Sequence, residues 1–191
     1  MVLHSGSGDD VEQRNVTRLS LDAEVDADAI FAFVPGPRIP SDESRVASFQ
    51  RFQLSATASF VGVVDWIDAR HDFHTYNSVS TIFVEEGDPV RVETSLDRTN
   101  QPHGVVATVL VSGSRTVGVL DRLQAAAGGF LTYPGAGLGI LSEVSVSAER
   151  QQQGVTVVRI AAAESEDVQR LLAHCLEPLA ADLGVAPCEP L

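Results

Sequence analysis

Apolar and polar residues alternate strictly from Val16 to Val25, and this period of two constrains the fold more than any other feature of the chain. Leu19, Leu21 and Ala23 fall on one face of the predicted strand, opposite charged and hydroxyl side chains. Comparable runs predict strands over residues 52–66, 75–84, 90–96, 105–111, 141–148 and 155–161. Polar turns join most of these runs in sequence, so we expect antiparallel hairpins.

Helical patterns are fewer. Asp26 or Asp28 can cap a short helix over residues 30–34. Residues 116–127 fit either a helix or a strand, and we favour a helix. Gly62 interrupts the longest alternating run and indicates a bulge or a bend there.

The C-terminal part of the chain predicts a long helix over residues 165–183, kinked at Pro178, whose leucine stripe must lie on the sheet. We therefore predict an α+β fold: an antiparallel, strongly curved sheet or barrel of about six to eight strands that grips this helix and encloses an apolar cavity. Residues 1–14 are predicted to be a flexible arm, residues 15–186 a single ligand-binding or cyclase domain, and residues 187–191 a tail.

The charge composition excludes several classes of function. All 13 basic side chains are arginines, so lysine Schiff bases, serine–lysine dyads and the phosphate-binding P-loop are ruled out. A formal net charge of −13 argues against nucleic acid as a partner. No stretch is apolar for long enough to be a signal peptide or to span a membrane, and we expect a cytoplasmic protein with two reduced cysteines.

The histidines offer one weak candidate for a metal site. His71 and His74 lie close together among carboxylates, and His103 or Glu93 could join them. Their spacing matches neither of the common histidine pairs, so we predict solvated loop histidines, with no metal and no cofactor. No nucleotide-binding or serine-nucleophile motif is present in the sequence.

The predicted interior is almost uncharged. Thr81, Thr94 and Thr108 are in phase with the apolar faces of their strands, whereas Arg91 and Glu93 fall on the opposite face. An apolar, glycine-rich loop over residues 128–139 is expected to line or cover a cavity.

Three aromatic side chains are the candidate catalytic groups, namely Tyr76, Tyr133 and Trp66, although their pattern fits ordinary core or rim packing better. Their hydroxyl and indole groups could stabilise a developing carbonyl charge without titrating near neutrality. The candidate ligand-binding residues are Phe52, Phe60, Thr81, Thr94, Thr108, Phe130, Leu131 and Leu172.

Both ends of the chain carry a family resemblance. Residues 16–34, in which a strand passes through Asp26-Ala27 into apolar residues, and residues 155–160, which lead to the helix at Ser165, resemble the START-like (SRPBCC) helix-grip family. The resemblance implies a cavity between sheet and helix that holds a lipid, a hormone or a polyketide, with cyclisation of polyketides in some members. The architecture also resembles small β-barrel cyclases of polyketide pathways.

These observations together predict a cofactor-independent cyclase that folds a polyketide-like substrate in an apolar cavity. The predicted partner is a hydrophobic small molecule, and a homodimer is possible. Three alternatives stay open at this point: a non-catalytic carrier or sensor of a lipid-like ligand, a small β-barrel cyclase, and a histidine-dependent metalloenzyme.

Overall fold

The computed structural model describes residues 16–40, 44–70, 73–85, 87–97, 104–127, 145–150 and 154–188. Nine strands and three α-helices lie in these ranges. The strands are β1 (Val16–Val25), β2 (Ile30–Phe33), β3 (Arg45–Leu54), β4 (Ser59–Asp68), β5 (Thr75–Val84), β6 (Val90–Asp97), β7 (Val105–Ser112), β8 (Ser145–Arg150) and β9 (Thr156–Ala162). The helices are α1 (Val117–Ala127), α2 (Ser165–Leu176) and α3 (Ala180–Leu183).

The strands form two sheets that pack face to face. Sheet A has the strand order β1-β3-β5-β6, and sheet B has the order β2-β4-β7-β9-β8. The first five strands alternate between the two sheets, so each strand reaches its neighbour only after the chain has visited the other sheet. This path makes β1, β3 and β5 parallel to one another, and β2 parallel to β4. The remaining pairs are antiparallel.

The predicted fold class is therefore wrong. Among the described residues there is no closed barrel, and the first five strands do not form sequential hairpins. The hairpin predicted near the end of the chain is confirmed, because β8 and β9 pair antiparallel. The strands predicted over residues 75–84, 90–96 and 105–111 are also confirmed, as β5, β6 and β7.

Two elements predicted near the N-terminus differ from the structure. Residues 30–34 were predicted to be helical, but Ile30–Phe33 form β2, with Ile30 in the cluster beneath the helices and Phe31 in the cluster between the sheets. A strand covered on both faces loses its alternation and looks like a short helix. The long run over residues 52–66 is likewise the end of β3 and most of β4, joined by a tight turn.

The helices cover the outer face of sheet B. Leu171, Leu172 and Leu176 of α2 pack with Val119 and Leu123 of α1 against the side chains of β4, β7 and β9. Burial of such a stripe is worth about 1.5–3 kcal/mol for each large side chain, which explains why this layer forms. The helix predicted over residues 116–127 is thus confirmed as α1.

The C-terminal helix differs from its prediction in place and in length. It runs regularly only to Leu176, and a 3-10 turn that contains Pro178 separates it from the short α3. It lies outside the pair of sheets and is not gripped by them. Within the described residues, no helix has the length and apolar character needed to cross a membrane. The arm predicted over residues 1–14 lies outside the described residues.

A β-bulge in β4 determines what the space between the sheets contains. Val63 pairs with Val109 and Asp65 with Thr108, so Val64 has no partner in the ladder. The extra residue reverses the alternation: Val63 and Trp66 both face the helices, whereas Val64 and Asp65 both face sheet A. Gly62 does not mark this bulge. It leaves room for the ring of Phe60, whose Cζ would lie 2.3 Å from a Cβ at position 62.

Candidate functional site

The bulge places one carboxylate in the interior of the molecule. Asp65 is 2% exposed and projects from sheet B towards β5 and β6 of sheet A. Polar side chains surround it on the inner face of sheet A and on the segment that follows β2. We call this group the Asp65 cluster, and it consists of Arg38, Ser48, Gln50, Asp65, Tyr76 and Thr94.

Both carboxylate oxygens of Asp65 accept a hydrogen bond from sheet A. The Tyr76 hydroxyl donates to Oδ1 at 2.7 Å, and the Thr94 hydroxyl donates to Oδ2 at 2.7 Å. These bonds join the two sheets through side chains alone. An ionised carboxylate away from water needs such donors, because the desolvation of an unpaired charge costs several kcal/mol.

Arg38 brings a positive charge to the same cluster. Its Nη1 donates to the Tyr76 hydroxyl at 2.8 Å and to the Ser48 hydroxyl at 3.2 Å. Its backbone is fixed at the edge of β4, since its N–H donates to the Trp66 carbonyl and its carbonyl accepts from the N–H of Asp68. Tyr76 therefore stands between the guanidinium and the carboxylate, and the two opposite charges compensate each other across its hydroxyl.

Gln50 connects the Asp65 cluster to the backbone of the bulge. Its Nε2 donates to the carbonyl of Val64, the residue that the bulge leaves out of the ladder, at 2.6 Å and to Ser48 at 3.2 Å. Its Oε1 has no hydrogen-bond partner among the described residues, and neither does the hydroxyl of Ser80 in the same row of sheet A. Buried polar atoms in this state are usually satisfied by ordered water or by an ion. The interior beside Asp65 is thus suited to polar occupants.

The environment of Tyr76 favours its neutral form. Burial raises the pKa of the Tyr76 hydroxyl well above its ordinary value, and the negative charge of Asp65 raises it further, against a smaller opposing effect of Arg38. The hydroxyl consequently remains a hydrogen-bond donor to Asp65 throughout the neutral range.

A second carboxylate of β4 is buried on the opposite face of sheet B. Asp68 is 2% exposed, and its Oδ2 pairs with Nη2 of Arg70 at 2.5 Å. Arg70 also pairs with Glu164, which directly precedes α2, and its pKa is raised chiefly by the hydrogen bond to Asp68. This ion-pair chain joins the end of β4 to the start of the helix layer.

The structure brings only part of the predicted site together. Tyr76 and Thr94 both bind Asp65, and Thr108 is buried beside Asp65 in the β4–β7 ladder. Trp66 packs under the helices, on the other side of sheet B from Tyr76, and its Nε1 has no partner among the described residues. Tyr133, Phe130 and Leu131 lie outside the described residues.

The other candidate ligand-binding residues do not line a common space. Phe52 and Phe60 are fully buried, with ring centroids 4.5 Å apart, so each ring fills the space beside the other. Leu172 belongs to the helix layer. Thr81 shares a row with Arg51 and Arg91 on the outer face of sheet A, so its predicted place on the apolar face is wrong: the buried residues of β5 are the alternate ones, Tyr76 to Ile82. Contact of these residues with any ligand stays a prediction.

Sequence reasoning missed the charged members of the interior. The expectation of an almost uncharged core is wrong, because the bulge turns Asp65 inwards after Val63 and Val64 had set the opposite alternation. The signal in the sequence is two adjacent valines followed by Asp65-Trp66, but it is hidden in a strand that is buried at every position. Arg38 and Gln50 both lie outside the strands that the sequence pattern predicts.

The histidine site gains no support from the described residues. His71 and His103 lie outside them, and His74 is half-buried. Among the parts of the chain that the structure describes, no three side chains of histidine, cysteine, aspartate or glutamate are grouped so that they could hold a metal ion.

Comparison with known families decides the family of the chain. The model of the UreD urease accessory protein family matches residues 5–191. The chain belongs to the UreD urease accessory protein family. No curated protein matches the chain.

This membership corrects the functional predictions. The resemblance to the START-like family rested on low-specificity patterns at the two chain ends, whereas the UreD match covers nearly the whole chain. The polyketide cyclase, the lipid-like carrier, the small β-barrel cyclase and the histidine-dependent metalloenzyme are all wrong. UreD proteins take part in nickel insertion into urease together with other accessory proteins, so the hydrophobic small molecule predicted as the partner is wrong too.

Proposed function

We propose that this chain is a urease accessory protein that supports insertion of nickel into urease, acting with other urease accessory proteins. The observation that carries the proposal is the match of the UreD family over residues 5–191. Nickel is cargo in this function and not a resident cofactor. A location in the cytoplasm, where the enzyme would be assembled, is part of the proposal.

We further propose that the Asp65 cluster contacts the cargo. It holds carboxylate, hydroxyl and amide oxygens between the sheets; both Asp65 oxygens already accept a hydrogen bond, whereas Gln50 Oε1 has no partner among the described residues. Divalent first-row cations bind oxygen and nitrogen ligands. A single carboxylate with neutral oxygens holds such a cation weakly, and the nearby Arg38 weakens the attraction further. Brief contact followed by release suits a protein that delivers a metal.

Activation of urease in a host that supplies urease and the other accessory proteins tests the proposal. We expect that omission of this chain leaves urease protein present but poor in nickel and low in activity, and that adding the chain back restores both. Equal nickel content and activity with and without the chain would refute the proposed function.

The role of Asp65 needs a matched pair of variants. Asp65→Asn keeps the volume of the side chain and one oxygen acceptor, so the fold is expected to survive while the charge in the interior is lost. Asp121→Asn makes the same change at an exposed position of α1. At equal amounts of soluble protein, we expect urease activation to fall with Asp65→Asn and not with Asp121→Asn. A fall of the same size with both variants would show that the charge of Asp65 has no specific role in activation.

A further inference from the structure

Strand β1 is an open edge of sheet A among the described strands. It pairs with β3 on one side, through ten consecutive residues without a bulge, and no described strand lies on its other side. Natural edge strands are commonly protected by charged side chains, above all lysine and inward-pointing charges, by proline, by a bulge or by shortness. Residues 16–25 contain no proline, the strand is regular and long, and its charged residues, Arg18, Asp22 and Glu24, all lie on the outer face and none on the inner face. Because no described strand pairs with this side of β1, its backbone N–H and C=O groups there could bind a further strand.

The inner face of β1 is also incompletely covered. Leu19, Leu21 and Ala23 point towards the space between the sheets, yet all three are only half-buried, whereas the next strand in the same rows has the buried residues Ser48, Gln50 and Phe52. Apolar side chains at the inner positions of an added strand would cover this row, because neighbouring strands lie about 4.8 Å apart and share a face.

The outer face beside β1 indicates what else the added strand should carry. Phe49 of β3 is 53% exposed, and its neighbour on β1 is the small Ser20, so a side chain beyond Ser20 could reach the ring. Arg18 precedes Ser20 on this face, and Asp22 and Glu24 follow it; all three are exposed, and Asp22 lies beside Arg51 of β3. Basic side chains opposite these two carboxylates would be complementary in charge.

We propose that β1 is a docking site for an extended segment of a partner protein, which adds to sheet A as a strand with apolar residues on its inner face and basic residues on its outer face. Backbone hydrogen bonds supply the binding, and the alternation of side chains supplies the selectivity. The inference stands on the edge strand itself and does not depend on the role in urease activation.

A pair of synthetic peptides tests the docking site on the full-length chain. The probe is a peptide in which valine and lysine alternate, and the control has the same composition with the valines and the lysines in two separate blocks. The two peptides have equal charge, so general attraction to a chain of net charge −13 acts on both. We expect the alternating peptide to bind at least about tenfold more tightly in fluorescence anisotropy, since only it matches both faces of β1. Equal affinities would overturn the proposal.

Variants of the chain locate the site. Asp22→Lys should weaken the binding of the alternating peptide by about tenfold, since it places a like charge beside the lysines, whereas Asp121→Lys makes the same change in charge on α1 and should have a much smaller effect. Phe49→Ser, which tests the apolar contact without a charge, should weaken binding as well. Equal effects of the two lysine variants, with none for Phe49→Ser, would show that the peptide binds elsewhere and would overturn the proposal.

A third peptide tests whether binding depends on backbone hydrogen bonds to β1. An alternating peptide that is N-methylated at every second residue, on the edge that would face β1, keeps its side chains and its charge but cannot donate to the strand. We expect it to lose binding. Retention of full affinity would overturn strand addition. A second outcome would overturn the proposed partner: if neither peptide binds and the chain forms a dimer that Asp22→Lys breaks, a second copy of the chain occupies β1.

Discussion

Replacement of Tyr76 by phenylalanine tests whether the Asp65 cluster stabilises the contact between the sheets. The change removes the hydroxyl alone from a fully buried ring. Asp65 Oδ1 then loses the donor at 2.7 Å, and Arg38 loses the acceptor at 2.8 Å. A hydrogen bond to a charged group contributes about 1.5–3 kcal/mol, and the half-buried Arg38 recovers part of its loss from water. We therefore expect the free energy of unfolding to fall by about 3 kcal/mol.

Urea unfolding followed by tryptophan fluorescence measures this change, with equal slopes required for the two proteins. Thr94→Val is the matched control within the cluster: it removes the other donor to Asp65 at a half-buried position, so a smaller loss of about 1–2 kcal/mol is expected. A double-mutant cycle of Tyr76→Phe with Asp65→Asn should give a coupling energy of about 1 kcal/mol or more. A loss below about 0.5 kcal/mol for Tyr76→Phe would refute the stabilising role of the cluster.

The same variant has a signature at high pH. Tyrosine in the unfolded chain ionises near pH 10, whereas burial and Asp65 raise the pKa of Tyr76 in the folded chain. The folded state then keeps a proton that the unfolded state loses. The contribution of Tyr76 to stability is thus complete below about pH 10 and declines as the pH rises above it towards the folded pKa. The Tyr76→Phe variant should lack this part of the decline, and identical pH profiles for the two proteins would contradict the raised pKa.

Three further predictions concern the packing and the thiols. Leu176→Ala, at a fully buried position of α2, should lower the free energy of unfolding by about 2–5 kcal/mol in urea unfolding, and a change below about 0.5 kcal/mol would mean that the helix layer is peripheral. Gly62→Ala should cost about 1–3 kcal/mol, because the new methyl group would displace the ring of Phe60, and an unchanged melting temperature would show that the ring moves freely. Burial raises the pKa of Cys175 to about 11, so a thiol reagent at neutral pH should modify the half-buried Cys188 first and Cys175 only on unfolding, and equal rates in the native protein would contradict this order.

The strands that could be predicted from the sequence are those with one apolar face. β1 alternates from Arg18 to Val25, and its bounds are those that the pattern predicts. β2 could not be recognised, because Ile30 and Phe31 are covered from opposite sides. The parallel order of β1, β3 and β5 could not be predicted either, since periodicity reports which face of a strand is buried and not which sheet the strand joins.

Of the Asp65 cluster, only the uncharged residues Tyr76 and Thr94 were predicted from the sequence. Thr94 was selected because it lies in phase with apolar residues and Tyr76 because it is an aromatic hydrogen-bond donor, and both contact Asp65. Asp65 was not selected, because strict alternation with Val64 and Trp66 places it on the polar face. One extra residue at Val64 reverses that assignment, and a bulge in a fully buried strand leaves no polar–apolar pattern from which it could be read.

The alternation of strands between the two sheets has a consequence for folding kinetics. Along the first five strands the chain returns to the same sheet after a nearly constant length: Val16 lies beside Arg45, Ile30 beside Ser59, and Arg45 beside Thr75. Each of these pairs closes a loop of about 30 residues that runs through the opposite sheet, and closure costs about 3 kcal/mol of chain entropy before any contact compensates for it. No parallel pair can form from a local hairpin, so the nucleus must include strands of both layers at once. The chain should therefore fold slowly for its length, and variants that weaken the parallel pairs of β1, β3 and β5 should lower its folding rate if those pairs belong to the nucleus.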